Sequence, residues 1–130
     1  MQEVYEFIKK CGVFYIATTE GDQPRVRPFG AVDVFEDRLY IQTGKIKNVS
    51  KQLAANPKIE ISGMADNKWI RLEAIAVNDD RREVKAHMLE AYPMLKSMYS
   101  ADDENTQVLY LKDATATICS FTEAPVVIHF

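Results

Sequence analysis

The chain has 130 residues, 47% hydrophobic and 27% charged, with 16 basic and 19 acidic side chains and a formal charge of −3. That length supports one core and one domain, residues 1–130, and the mild acidity argues against nucleic acid as the main partner. No apolar run reaches the roughly 20 residues of a membrane span and no signal-like segment opens the sequence, so a cytoplasmic protein with no membrane contact is expected.

Val4, Phe7, Ile8 and Cys11 recur at helical spacing and predict a short helix that Gly12 can end. VFYIATT (13–19) is rich in β-branched and aromatic residues and predicts a strand, with EGDQP as the turn after it. A second strand is expected from about Arg25 to Phe35. Side chains alternate along a strand, so Arg25 and Arg27 project from one face and Val26 and Pro28 from the other. Pro28 has no N–H for a ladder, which places it at an edge, an end or a bulge. Glu36–Asp37 predicts a tight hairpin into RLYIQT (38–43).

TGKIKN leads into a short helix beginning near Asn48, with Val49 and Leu53 on one side. Asn56–Pro57 stops it, because the residue before proline avoids helical angles. KIEISGMA (58–65) and WIRLEAIAV (69–77) form a second hairpin around ADNK. Between 80 and 99, Val84, Met88, Ala91, Leu95 and Tyr99 share a helical face, and Pro93 kinks the helix or opens a second short one. SADDEN reads as a loop, and VLYL, ATATICSF and VVIHF as further strands. The expected fold class is mainly β with short helices (α+β), a small antiparallel barrel. A doubly wound sheet lacks its βαβ alternation and its GxGxxG.

Charge is unevenly spread. From Arg25 to Lys51 six basic residues face three acidic ones, so this window carries +3 and the remainder −6. A small local anion suits that pattern. Within the window, Thr43 ends a strand, Gly44 permits close backbone approach, and Lys45 and Lys47 precede a helix N-terminus, whose free N–H groups favour phosphate. Arginine adds a planar fork suited to phosphate oxygens. Either segment alone reads most simply as a solvated surface; two on successive strands point to a phosphate site.

Other constellations are absent. His87 and His129 have no partners at ligand spacing, so no metal site is expected. Cys11 and Cys119 form no CxxC and read as buried free thiols in a reducing compartment. Asp79–Asp80 and Asp102–Asp103–Glu104 read as loop and helix-start acids. Trp69 reads as a hairpin packing residue, and Arg71 and Glu73 as an interface pair. With no nucleophile or P-loop motif, any reactive chemistry is expected to come from a bound cofactor, and no catalytic residue is assigned.

PRVRPFG, TGKIKNVSKQL, ANPKIEIS and WIRLEAIAV, in that order, resemble the FMN-binding split barrel. More narrowly they resemble the pyridoxamine 5′-phosphate oxidase-related group that includes general-stress and nitroimidazole-resistance proteins. The resemblance implies a split antiparallel β-barrel of the FMN-binding type and a homodimer with FMN at the subunit interface. It also implies a flavin-dependent oxidoreductase using small-molecule electron donors and acceptors. Carried over by position, Arg25 and Arg27 are the basic residues of the FMN-contacting strand. Val26, Pro28 and Phe29 border the flavin ring. Thr43, Lys45, Lys47 and Asn48 form the phosphate-binding turn. True pyridoxamine phosphate oxidases carry a basic pair where this chain has Asn48–Val49, and end in a Trp- and Arg-containing segment where this chain ends VVIHF. Vitamin B6 oxidation is therefore not expected. The rival expectations are a flavin-storing or stress-sensing protein without turnover, and a split barrel that holds haem or a deazaflavin.

Overall fold

The computed structural model describes residues 1–130. In chain order the elements are α1 (Gln2–Cys11), β1 (Phe14–Glu20), β2 (Gln23–Phe29), β3 (Val32–Phe35), β4 (Arg38–Gly44), α2 (Asn48–Ala55), β5 (Lys58–Ala65), β6 (Lys68–Asn78), α3 (Arg82–Ala91), a 3-10 helix (Pro93–Ser97), β7 (Thr106–Cys119) and β8 (Val126–His129). Two hairpins are pinned by residue pairs in the left-handed region: Glu36 and Asp37 (φ 51 and 59) join β3 to β4, and Asp66 and Asn67 (φ 53 and 60) join β5 to β6. Positive φ at both central residues makes the turn whose twist matches the flanking strands.

All ladders are antiparallel, in the order β2-β1-β5-β6-β7-β4-β3, with β8 added beside β7. This is the expected α+β split barrel, and its split can be located. The two end strands of that order, β2 and β3, are consecutive in the chain and joined by Gly30–Ala31, yet no ladder runs between them. The single strand expected over 25–35 is thus two strands. Their partners differ, β1 for β2 and β4 for β3, and the chain must turn from one edge to the other. The junction also inverts the alternation: Phe29 is buried in β2, Val32 in β3, and Val26 is 69% exposed.

VLYL and ATATICSF, expected as separate strands, form one 14-residue strand. Asp113 (φ 51) and a register shift between Glu73 and Ile75 mark a bulge that bends it. Its first half pairs with β4 and its second with β8.

The interior is one apolar cluster to which β1, β4, β5, β6 and β7 contribute Phe14, Ile16, Ile41, Ile61, Leu72 and Leu109, α1 Val4 and Ile8, and α2 Val49 and Leu53. Each such side chain stabilises by about 1.5–3 kcal/mol on full burial, and together they fill the barrel. Outside it, Val84 and Met88 of α3 pack on Ala31, Tyr40 and Val108. α3 therefore packs against β3 and β7, away from the outer face of β6. That face and its neighbours carry Tyr15 (50% exposed), Met64 (67% exposed) and half-buried Trp69 and Ile75. Trp69 packs on Phe121 at 5.0 Å, the expected hairpin role. Arg71 pairs with Glu60 across the sheet at 3.6 Å, not with Glu73. Both thiols are free but only half-buried, since each closes its element at the surface. No helix is long and apolar enough to cross a membrane.

Candidate functional site

Two adjoining clefts lie where β2 leaves β1 and crosses toward β3. They share Arg27, Lys47 and Val49. The first, about 260 Å³, is bounded by Pro28, Phe29 and Gly30 on one side and by Tyr92, Met94, Met98 and Tyr99 on the other. At this size it sits just below the roughly 300–1,000 Å³ usual for small-molecule sites. The second is polar, with Glu20, Arg25, Asn48 and Gln52 around the shared residues. An apolar slot beside a cationic one suits a ligand with a flat ring and an anionic tail.

Arg27 is a fixed cation. Its guanidinium donates to the Ile16 carbonyl at 3.2 Å, to Thr18 Oγ1 at 2.8 Å and to Gln52 Oε1 at 2.5 Å, so β1 and α2 both hold it. Burial, then the neighbouring Arg25 charge, lowers its pKa, yet arginine stays protonated. Arg25 is exposed and pairs with Glu20 at 2.9 Å. That pairing, with Gln52 as a further donor, holds the Glu20 carboxyl below its usual range. Lys47 stands exposed at the N-cap of α2, where no side chain caps the helix. The first N–H groups of α2 have no intrahelical partner and add positive potential at the same place.

Three cations, Arg25, Arg27 and Lys47, against one carboxylate leave an excess of two positive charges. A phosphate monoester carries about −1.5 to −2 near neutral pH. The charges match.

The structure brings together Arg27, Pro28, Phe29, Thr43 and Lys47 at the first cleft, and Arg25, Val26, Arg27, Lys47 and Asn48 at the second. Lys45 is the exception. Its ammonium lies 2.9 Å from Asp80 and it lines neither cleft. Sequence reasoning missed Gln42, which lines the first cleft at 7% exposure with both side-chain amide atoms buried and unpartnered. An amide among the apolar residues of LYIQTG was the available signal. It also missed Gln52, Thr18 and the wall from Tyr92 to Tyr99. His87 bonds Asp33 at 2.5 Å and stacks on Phe35, outside both clefts.

The sequence model for the family described as pyridoxamine 5′-phosphate oxidase matches residues 1–118. The chain belongs to this family. Among solved structures, this member of the pyridoxamine 5′-phosphate oxidase family is similar to a NimC/NimA family protein from Clostridium acetobutylicum. That pair shares 53% identity with a TM-score of 0.97, covering 100% of this chain and 92% of the other. It is also similar in fold to General Stress Protein 26 from Bacillus anthracis str. Sterne (16% identity, TM-score 0.77, 99% and 97% covered). HutZ, the heme storage protein from Vibrio cholerae, shares the fold as well (17% identity, TM-score 0.66, 85% and 87% covered). No curated protein matches the chain.

Proposed function

We propose that this protein binds FMN across the two clefts, as a homodimer with the cofactor at the subunit interface, and acts as a flavin-dependent oxidoreductase on a small-molecule acceptor. The observation that carries this reading is Gln42. A buried amide with neither atom paired costs about 1–3 kcal/mol for each unsatisfied group, and at the wall of a cleft a ligand that pairs with it would remove that cost. The edge of a flavin ring offers both donors and acceptors. The residues fit the cofactor throughout: Pro28, Phe29 and the Met94–Tyr99 wall offer apolar surface for the ring, and Lys47, Arg27 and the N–H groups opening α2 offer charge for the phosphate.

Bound FMN supplies two-electron redox chemistry, which ordinary side chains do not. The chain's own residues bind and orient it. The Arg27–Thr18–Gln52 network fixes one cation before the ligand arrives, so little ordering is left to do on binding. The interior of the barrel is filled by side chains, so the ring lies at the surface. The uncovered outer face of β1, β5 and β6 is where a second subunit supplies the missing wall.

A haem-holding reading follows from HutZ. The placement of the histidines favours FMN, because neither His87 nor His129 lines the cleft. Denaturing the purified protein and identifying the released chromophore tests the assignment, with an FMN titration if none is carried. Released haem or deazaflavin, or no FMN affinity, would overturn it. Reduction of bound flavin by a nicotinamide cofactor and reoxidation by acceptors separates an oxidoreductase from a storage or sensing protein.

A further inference from the structure

The turn that carries Lys47 is held from outside by one residue. Lys47 N–H donates to the Gly44 carbonyl at 3.0 Å and closes the turn 44–47. The two N–H groups left within the turn both go to Asn105: Lys45 N–H to its backbone carbonyl at 2.7 Å and Ile46 N–H to its Oδ1 at 3.0 Å. Gly44 is pressed against the same residue. A Cβ at Gly44 would stand 3.1–3.2 Å from the Asn105 amide atoms and 3.2 Å from the Tyr99 ring, closer than those groups tolerate without moving.

Asn105 is itself locked. The Asp103 carboxylate accepts from the N–H groups of Asn105 (3.1 Å) and Thr106 (2.7 Å) through one oxygen, and from Thr106 Oγ1 and Ser100 N–H (both 3.0 Å) through the other. Arg82 of α3 grips Asp102 through two bonds, of 2.6 and 3.0 Å. The loop between Ser100 and Thr106 is thus tied together by its own hydrogen bonds and lines neither of the two clefts, and its side chain at 105 satisfies the turn.

We propose that Asn105 is a positioning residue that sets where the Lys47 side chain stands at the cationic end of the cleft. This rests on the reading of the cleft as an FMN site. Asn105 reaches the ligand only through the turn, so it acts on the phosphate and leaves the ring alone.

The test compares FMN with riboflavin, which lacks the phosphate, in four proteins: wild type, Asn105→Ala, Lys47→Ala and the double variant. Asn105→Ala weakens FMN about tenfold, as expected for one displaced charge-assisted contact, and leaves riboflavin unchanged. In the Lys47→Ala background the Asn105 change adds no further loss, since both act through one contact. In the ligand-free protein, hydrogen exchange at the Ile46 and Lys47 amides accelerates in Asn105→Ala and returns to wild-type protection in Asn105→Asp, which keeps the acceptor oxygen. Equal losses for the two ligands, additive losses in the double variant, or unaltered amide exchange would overturn the proposal. Wild-type protein that binds no FMN would overturn the site reading, and the role of Asn105 with it. Wild type that binds FMN with an unchanged FMN-to-riboflavin ratio in Asn105→Ala overturns the positioning role alone.

Discussion

Replacing Gln42 with methionine should strengthen the ligand-free protein and weaken its hold on FMN. Methionine has nearly the volume and reach of glutamine but no amide. Gln42 is 7% exposed, and both its amide atoms are buried without partners. Each such atom costs about 1–3 kcal/mol; allowing for imperfect repacking of a thioether, the net gain is about 1–3 kcal/mol. For a chain of this length that raises Tm by about 3–10 °C. The same substitution removes one or two hydrogen bonds to the ring edge, worth about 0.5–1.5 kcal/mol each, so FMN affinity drops about 2-fold to 150-fold. Urea unfolding of the stripped protein at one fixed concentration measures the first effect, and flavin fluorescence titration the second. Gln42→Met protein that is less stable when stripped and binds FMN as before would show that the amide is satisfied within the protein and does not face the ligand.

Lys47→Ala should weaken FMN about tenfold to a hundredfold and barely change riboflavin, whereas Lys45→Ala, whose ammonium serves Asp80, should change both little; isothermal titration of the two variants decides. Asp79 is 8% exposed, and the hydrogen bond from Arg81, with a further one from Tyr40, holds its carboxyl down at about 2. Its folded value lies below the unfolded one, so its contribution is complete above about pH 4 and is lost as pH falls toward 2. With the Arg81 side chain 40% exposed, Asp79→Asn should cost about 1–2 kcal/mol near neutrality and flatten the acid limb of a stability–pH curve. Ile75→Glu, on the uncovered face of β6, should give folded monomers that lose FMN, read by light scattering with flavin titration; a folded monomer of full affinity would put the whole site in one subunit.

Much of the architecture was legible because its signals are local. Glu36–Asp37 and Asp66–Asn67 announce tight turns between apolar runs, and β5 was read to the residue because Pro57 and Asp66 bracket it. The break at Gly30–Ala31 was not legible, since the apolar even positions Val26, Pro28, Gly30, Val32 and Val34 run through it in the sequence, while the change of buried face depends on the different partner strands of β2 and β3. The basic half of the site could be read from paired arginines and a lysine before a helix. Its apolar half could not, because Met94, Met98 and Tyr99 come from a segment whose helical spacing says which face is apolar but not what it faces. Gln42 stayed hidden for a related reason. Whether an amide in a strand is solvated or stranded depends on what lies over that strand, and here that cover comes from the opposite half of the chain.

The missing ladder between β2 and β3 leaves two strand edges without a partner strand, and such an edge is a template on which another chain can add, although Tyr92 and Asp33 already occupy the Val32 and Val34 groups of β3. β2 carries Pro24 and Pro28, which have no N–H to offer, and Arg25 and Arg27 between them, which repel a like strand. β3 is only four residues long, too short to seed much pairing. Arg25, Arg27 and Pro28, which border the clefts, thus also help keep the open seam from growing into an intermolecular sheet. Mutagenesis aimed at ligand binding along β2 therefore also acts on solubility, and aggregation of a proline or arginine variant there is a property of the strand edge before it is evidence about the ligand.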